Sequence, residues 1–476
     1  MSSDAQRVIR VAVVGSGPSG FYAAAALLAD KTTRYEVDVL DRLPSPYGLV
    51  RGGVAPDHQK IKSVVKAYEK TAADPRFRFF GNVRVGTDLT HADLLGLYDQ
   101  VVYAVGAESA NRLGIPGEDL LGSHSATEFV GWYNGHPDHQ HRRFDLSATG
   151  AAVVGVGNVS MDLSRLLACE RAHLAPTDVS PVALDQLASS GIRDVWILGR
   201  RGAAQAAFTT GELEEIADLP GVDLRVSAEE VALDPASEAW LQATNDLGAR
   251  KNVAFLQARA AVPPNPDARV RVHLRLWVSP VAIEGDGRTE RLVIERNAPE
   301  ASASGGVLAR GTGQRETLPV GLVFRAVGYR GIAVPGIPFD ERRGIIPNAD
   351  GRVLAGGTQE PPDAGDAPTP PPYLPRTYVV GWAKRGPSGL IGTNRQDSKA
   401  TVERMIEDAP ALPASTHTAA AADAFLAARV RPLVRWEDWK RLDAHEIAEG
   451  AKLGKIRYKL PSIPEMLAVI DPSYGA

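Results

Sequence analysis

The sequence predicts an α/β chain of two Rossmann-like three-layer domains, one inserted into the other. Three observations carry this. An apolar β-type run, Val8 to Val14, leads through glycines at 15, 17 and 20 into a helical stretch, Pro18 to Asp30, and a second strand, Glu36 to Leu40. The same order recurs with Ala151 to Val154, glycines at 155 and 157, the helical run Val159 to Leu167 and the strand Val195 to Leu198. Two further apolar runs, Gln100 to Val105 and Val320 to Val327, each close on a glycine, Gly106 and Gly328. Alternating stretches at Val270 to Val278 and Leu292 to Glu295 predict antiparallel strands with polar faces, and Ile61 to Ala72 predicts one polar helix.

Composition narrows the function. The chain has 476 residues, 44% hydrophobic and 23% charged, enough for two or three domains with their own cores. A formal net charge of −4 argues against a general nucleic-acid binder. The apolar run Phe21 to Ala29 is too short to span a bilayer, and the first strand starts within ten residues of Met1, so the expected setting is the cytoplasm, with no membrane partner. Cys169 is the single cysteine. It allows neither a Cys-x-x-Cys redox pair nor a four-thiolate iron–sulfur cluster, so any such cluster belongs to a partner. His136, His139 and His141 have spacing that a metal accepts, but a polar surface loop explains them, and no metal site is expected.

Each glycine loop has a physical reading. In VAVVGSGPSG, Gly15 permits the tight turn, Gly17 lets backbone approach a pyrophosphate and Gly20 permits close helix packing, with Pro18 and Ser19 opening the helix. The helix N-terminus offers free N–H groups to phosphate, and Asp41, at the end of the second strand, suits a ribose diol. In AVVGVGNVSMD, Gly155 and Gly157 keep the spacing, Asn158 and Val159 open the helix, and Ser160 replaces the third glycine. The strand after it ends in Arg200 and Arg201 instead of an acid. Guanidinium groups there grip a 2′-phosphate, which selects NADP(H) over NAD(H).

Longer motifs extend the pattern: LVRGGVAPDH at 49–58, YAVGA at 103–107, GNVSMD at 157–162, GRRGAAQAAFTTGEL at 199–213, RAVGYRG at 325–331 and GWAKRGPSGLIGTN at 381–394. In this order they closely resemble the adrenodoxin reductase type of ferredoxin–NADP reductase, a glutathione-reductase-like flavoprotein family. The resemblance runs from about Val8 to about Lys459. It implies a discontinuous FAD-binding domain, 1–107 plus 328–476, and an NADP-binding domain, 108–327. It places FAD against Gly15, Gly17, Asp41, Leu49, Val83, Gly381, Trp382, Gly389, Leu390 and Ile391. Family members often carry Glu at the Asp41 position. It places NADP(H) against Gly155, Gly157, Asn158, Arg200, Arg201 and Glu212, and gives His58, Glu215 and Asp162 catalytic positions near the flavin and nicotinamide.

The expected activity is hydride transfer from NADPH to FAD, then single-electron transfer to a ferredoxin-type iron–sulfur protein. The basic stretch at 268–275 and the doublet Arg250-Lys251 are candidate docking sites for that acidic partner. Two other readings stand beside this one: an NADPH-dependent flavin monooxygenase, and a non-catalytic flavin-binding redox sensor. Oligomeric state is not readable from the sequence. Nor is a role for the Pro-, Gly- and Asp-rich segment 356–375.

Overall fold

A computed structural model describes residues 7–303, 305–356 and 372–474. Of the inserted-looking segment 356–375, residues 357–371 lie outside the described residues, and Tyr373 to Pro375 begin the strand Tyr373–Val379. The chain divides into two units. One takes residues up to Ser109, the segment Asn134–Pro137 and residues from Tyr329 onward; the other takes Ala110–Tyr133 and Asp138–Gly328.

In the first unit, Val8–Val14 is the hinge of an eight-stranded sheet. It pairs in parallel with Arg34–Leu40 on one side and Gln100–Tyr103 on the other. Strand order therefore reverses at its C-terminal end, where open α/β sheets bind ligands. Successive residues of the strand face opposite layers. Val11 and Val13 join Phe21 and Leu27 of the helix Pro18–Ala29 in one core, while Ala12 and Val14 join Leu40, Val101 and Tyr103 in the other. Each fully buried Val, Leu or Phe here contributes about 1.5–3 kcal/mol.

The second unit repeats the arrangement. Gly150–Val154 lies between Asp194–Gly199 and Leu322–Arg325 in a six-stranded sheet, again in parallel. Ala152, Val154, Leu198 and Val323 pack against Ile283, Leu292, Ile294 and Leu318 of a three-stranded antiparallel sheet, which forms one outer layer. Two expectations change. Val270–Leu276 is not an antiparallel strand but a parallel one, held between Asp194–Gly199 and Val222–Arg225. Its polar face misleads because Arg271 and His273 are paired with Asp194, and Arg275 with Glu230, rather than left to water. Arg291–Ala301 does pair antiparallel on both sides. The polar helix at 61–72 is two helices, Gln59–Lys62 and Val65–Ala72.

In the basic C-terminal run at 452–459, Lys452 is exposed but Lys455 and Lys459 are buried. Lys459 is 2% exposed and donates to the carbonyls of Arg51 and Asn134, both at 2.9 Å. Beside it, the fully buried Glu446 accepts from Arg51 at 2.5 Å, from Arg457 at 3.1 Å and from the Leu460 amide at 3.0 Å. The helix Trp436–Lys452 and the chain after it thus clamp the Leu49–Gly52 turn. Burial alone would push the Glu446 carboxyl up, but Arg51 and Arg457 outweigh it and hold it below its ordinary value. A depressed carboxylate stabilises the fold above its unfolded pKa, near 4.3, and that stability drains away as pH falls through the lower folded value. Glu446→Gln should cost about 3–5 kcal/mol at neutral pH, because it removes the fully buried carboxylate that pairs with Arg51 and leaves Arg457 with Asp443 alone, and the loss should shrink below about pH 4. Urea denaturation followed at pH 7 and in the acid range measures both.

Candidate dinucleotide and redox sites

The first glycine loop leaves its strand at a position only glycine fits. Gly15 has φ +108°, and a Cβ there would lie 2.5 Å from the Ala104 carbonyl oxygen. Its N–H donates to the Leu40 carbonyl at 2.7 Å. A side chain at Gly20 would meet the Gly15 carbonyl oxygen at 2.0 Å, which accounts for the third glycine by close packing. Gly17 caps the helix Pro18–Ala29 with no side-chain hydrogen bond, so the first-turn amides point at whatever docks there. Asp41 is tied locally: it accepts from the Ser16 amide at 2.9 Å, the Ser16 hydroxyl and the Leu43 amide at 2.9 Å.

The other predicted first-unit residues gather around this loop or its sheet. Gly381 has φ +70°, and a Cβ would lie 2.0 Å from the Ser19 hydroxyl oxygen, so the 381–394 motif abuts the first helix. The Gly381 amide donates to Asp397 at 2.6 Å, and Asp397 is paired with Lys384 at 3.2 Å. Trp382 is half-buried; its ring lies 5.3 Å from that of Tyr329, and its indole N–H donates to the Ser388 carbonyl at 3.2 Å. Gly389 and Leu390 are exposed, and Ile391 begins the helix Ile391–Asp408. Leu49 opens the clamped turn described above. Val83 is 1% exposed with its side chain in the core, so it serves this region through its backbone, donating to the Asp41 carbonyl at 2.8 Å. His58 precedes the helix Gln59–Lys62 and makes no side-chain cap to it.

The second loop repeats the geometry. Gly155 has φ +130°; a Cβ would lie 2.3 Å from the Ala326 carbonyl oxygen, and its N–H donates to the Leu198 carbonyl at 2.9 Å. Around Gly157 a Cβ would meet no atom within 4 Å, so the space above it is open to a ligand. It caps the helix Asn158–Ala168, again without a side-chain bond. Val159 follows in the first turn, and the Asn158 side chain accepts from the Thr209 amide at 2.9 Å, tying the loop to the segment after the arginines. Ser160 is 1% exposed, and among the described residues its hydroxyl has no hydrogen-bond partner.

Arg200 and Arg201 differ from most arginines of this chain. Among the described residues neither guanidinium meets a carboxylate within 4 Å. Burial, and then Arg200 beside it, pull the Arg201 guanidinium below its ordinary value. The turn is braced by its backbone: the Asn297 side chain donates to the Arg200 carbonyl at 2.9 Å, and the Trp277 amide to the Arg201 carbonyl at 3.3 Å. Arg201 borders an open cavity of about 960 Å³ that Thr209, Trp240, Lys251 and Phe255 also line. Two crowded cations without a counter-ion, beside a nucleotide-sized space, fit a phosphate.

Sequence reasoning missed Arg165, Trp277 and Asn297. An arginine within an amphipathic helix reads as solvated, yet Arg165 is buried against Asp162, Glu212 and Glu215. Glu212 is 8% exposed, not part of a solvated face. The docking stretch at 268–275 is largely neutralised, because Arg269, Arg271 and Arg275 pair with Glu170, Asp194, and Glu230 with Glu316. Among the described residues His136, His139 and His141 form no metal-binding group. No described helix is long and apolar enough to cross a membrane.

Two glycine loops, each at a switch point and ending in charges of opposite sign, define a two-dinucleotide α/β oxidoreductase. Residues 13–81 match the family model for an NAD(P)-binding Rossmann-like domain. The chain is 46% identical over 472 residues to the NADPH-ferredoxin reductase FprA of Mycobacterium tuberculosis, spanning 96% of this chain and 98% of that protein. It is 39% identical over 488 residues to human mitochondrial NADPH:adrenodoxin oxidoreductase, spanning 98% and 93%. The solved structure of Mycobacterium tuberculosis FprA in complex with NADPH matches with TM-score 0.90 at 44% identity, covering 98% of this chain and all of that one. The chain belongs to the family of NADPH–ferredoxin and NADPH–adrenodoxin oxidoreductases.

The unpartnered Ser160 hydroxyl gives a direct check on the second loop. An unsatisfied buried hydroxyl costs about 1–3 kcal/mol, so Ser160→Ala should leave stability unchanged or raise it by about 1 kcal/mol in a denaturant titration.

Proposed function

We propose that the chain is a cytoplasmic, FAD-dependent NADPH–ferredoxin reductase. The observation that carries the nucleotide half is the pair Arg200–Arg201, two cations with no counter-ion among the described residues, at the end of the second strand of the second βαβ unit. The names of the full-length relatives support the overall reaction.

The residues present fit both groups. FAD would be held by Gly15, Gly17, Pro18, Ser19 and Gly20 at its pyrophosphate, where the uncapped helix start offers amides and no Cβ intrudes. Asp41 braces this loop through Ser16 and Leu43, so it sets the position of the ribose site as well as its charge. Gly381, Trp382, Gly389, Leu390 and Ile391 would flank the isoalloxazine end, with Leu49 and the Val83 backbone. NADPH would be held by Gly155, Gly157, Asn158 and Val159 at its pyrophosphate, by Arg200 and Arg201 at its 2′-phosphate, and by Glu212. Bound FAD supplies the change from two-electron to one-electron chemistry that joins NADPH oxidation to reduction of an iron–sulfur protein. The chain itself supplies binding and orientation. His58, Glu215 and Asp162 tune charge and placement near the reacting rings, and no protein nucleophile is required.

The neutralised 268–275 stretch leaves the exposed Arg250-Lys251 doublet as the better basic candidate for an acidic ferredoxin, although Arg250 also donates to the Leu241 carbonyl at 2.8 Å. NADPH-driven cytochrome c reduction, run with and without each ferredoxin of the host, tests the reaction. Ferredoxin-dependent reduction is expected; NADPH consumption that rises only with an organic substrate would point to a monooxygenase instead. Each charge-assisted bond to phosphate is worth about 1.5–3 kcal/mol, so Arg200→Ala or Arg201→Ala should raise KM for NADPH about 10- to 100-fold. KM for NADH should barely move, which steady-state kinetics with both nucleotides will show.

A further inference from the structure

The helix Asn158–Ala168 carries a charge that its neighbours on the buried face do not share. Arg165 is 2% exposed among Met161, Leu163, Leu166 and Leu167. Its guanidinium donates to Asp162, one turn earlier, at 2.8 Å, and meets Glu212 at 3.0 Å and Glu215 at 3.2 Å. Glu212 and Glu215 stand three apart on the helix Thr210–Ala217, so they share one face, and that face is turned to Arg165. One cation therefore gathers three carboxylates from two helices. Without it three like charges would crowd one another, one of them on the buried Glu212.

We propose that Arg165 is the positioning residue of the NADPH-handling acids. It fixes the helix Thr210–Ala217 against the helix that starts at the second glycine loop, so that Glu212 and Glu215 are held in one arrangement when the nucleotide binds. The inference rests on the NADPH reading above. Its geometry is independent of that reading, because the guanidinium–carboxylate contacts exist whatever the ligand.

The test compares Arg165→Met, Arg165→Lys, Glu212→Gln and the double variant Arg165→Met/Glu212→Gln, which removes the buried charge in case the single Met variant does not fold. Three quantities are read: amide hydrogen exchange over residues 210–217, the dissociation constant for NADP+, and the limiting rate of flavin reduction by NADPH per bound flavin. A loss of positioning by about an ångström costs on the order of 10- to 100-fold in rate. Arg165→Met should show exchange over 210–217 at least about 10-fold faster, NADP+ binding weakened about 10-fold and reduction slowed by a similar factor. Arg165→Lys should recover most of the rate, and the double variant should be slower than Glu212→Gln alone. A merely structural role would lower the yield of loaded protein and leave rate per flavin and NADP+ affinity at parental values. That result, or unchanged exchange over 210–217, overturns the proposal. If the parent itself is not reduced by NADPH, the functional reading fails, while the exchange measurement still reports on the clamp.

Discussion

The sites depend on one steric constraint, met twice. At Gly15 and at Gly155 the chain leaves a central strand while its amide donates to a carbonyl at the C-terminal end of the neighbouring strand, Leu40 or Leu198. On the other side, where a Cβ would stand, lies a carbonyl of the opposite neighbour, Ala104 or Ala326. With carbonyls on both flanks and φ above +100°, only glycine can turn there. The turn aims the next amides and the helix start at the gap between diverging strands. The Ala-Val-Gly triplets at 104–106 and 326–328 are thus part of the two loops and not only links along the chain.

The charge at the end of the next strand separates the two sites. Asp41 spends its oxygens on Ser16 and Leu43, so the acid organises its own loop. Arg200 and Arg201 have no such partner; their backbone is braced by Asn297 and Trp277 while their guanidinium groups remain uncompensated. A protein tolerates like charges side by side when an anion is to be bound there, and the 2′-phosphate of NADPH is the anion we propose for this pair.

Much of this was legible in the sequence because it is local. A strand, a glycine turn and a helix sit within about 20 residues of one another, and glycine spacing reports backbone geometry directly. What was not legible depends on partners far along the chain. Arg271 and Arg275 alternate like a solvent-facing strand, and only Asp194, Glu230 and Glu316 reveal an interior parallel strand with paired charges. Arg165 reads as a surface residue until Glu212, 47 positions away, is seen against it. Lys459 reads as a basic tail until it is found on the carbonyl of Arg51, 408 positions earlier. Burial of charge is a tertiary fact, and periodicity cannot signal it.

The central claim, that opposite strand-end charges assign the second loop to NADPH, is tested most directly by calorimetric titration of the protein with adenosine 2′,5′-bisphosphate and with ADP. These ligands differ in where a phosphate sits and share the adenosine. The account predicts that the 2′,5′-bisphosphate binds at least about 10-fold more tightly, and that its advantage shrinks as salt is raised, since exposed charge pairs are screened. Equal affinities, unaffected by salt, would contradict it.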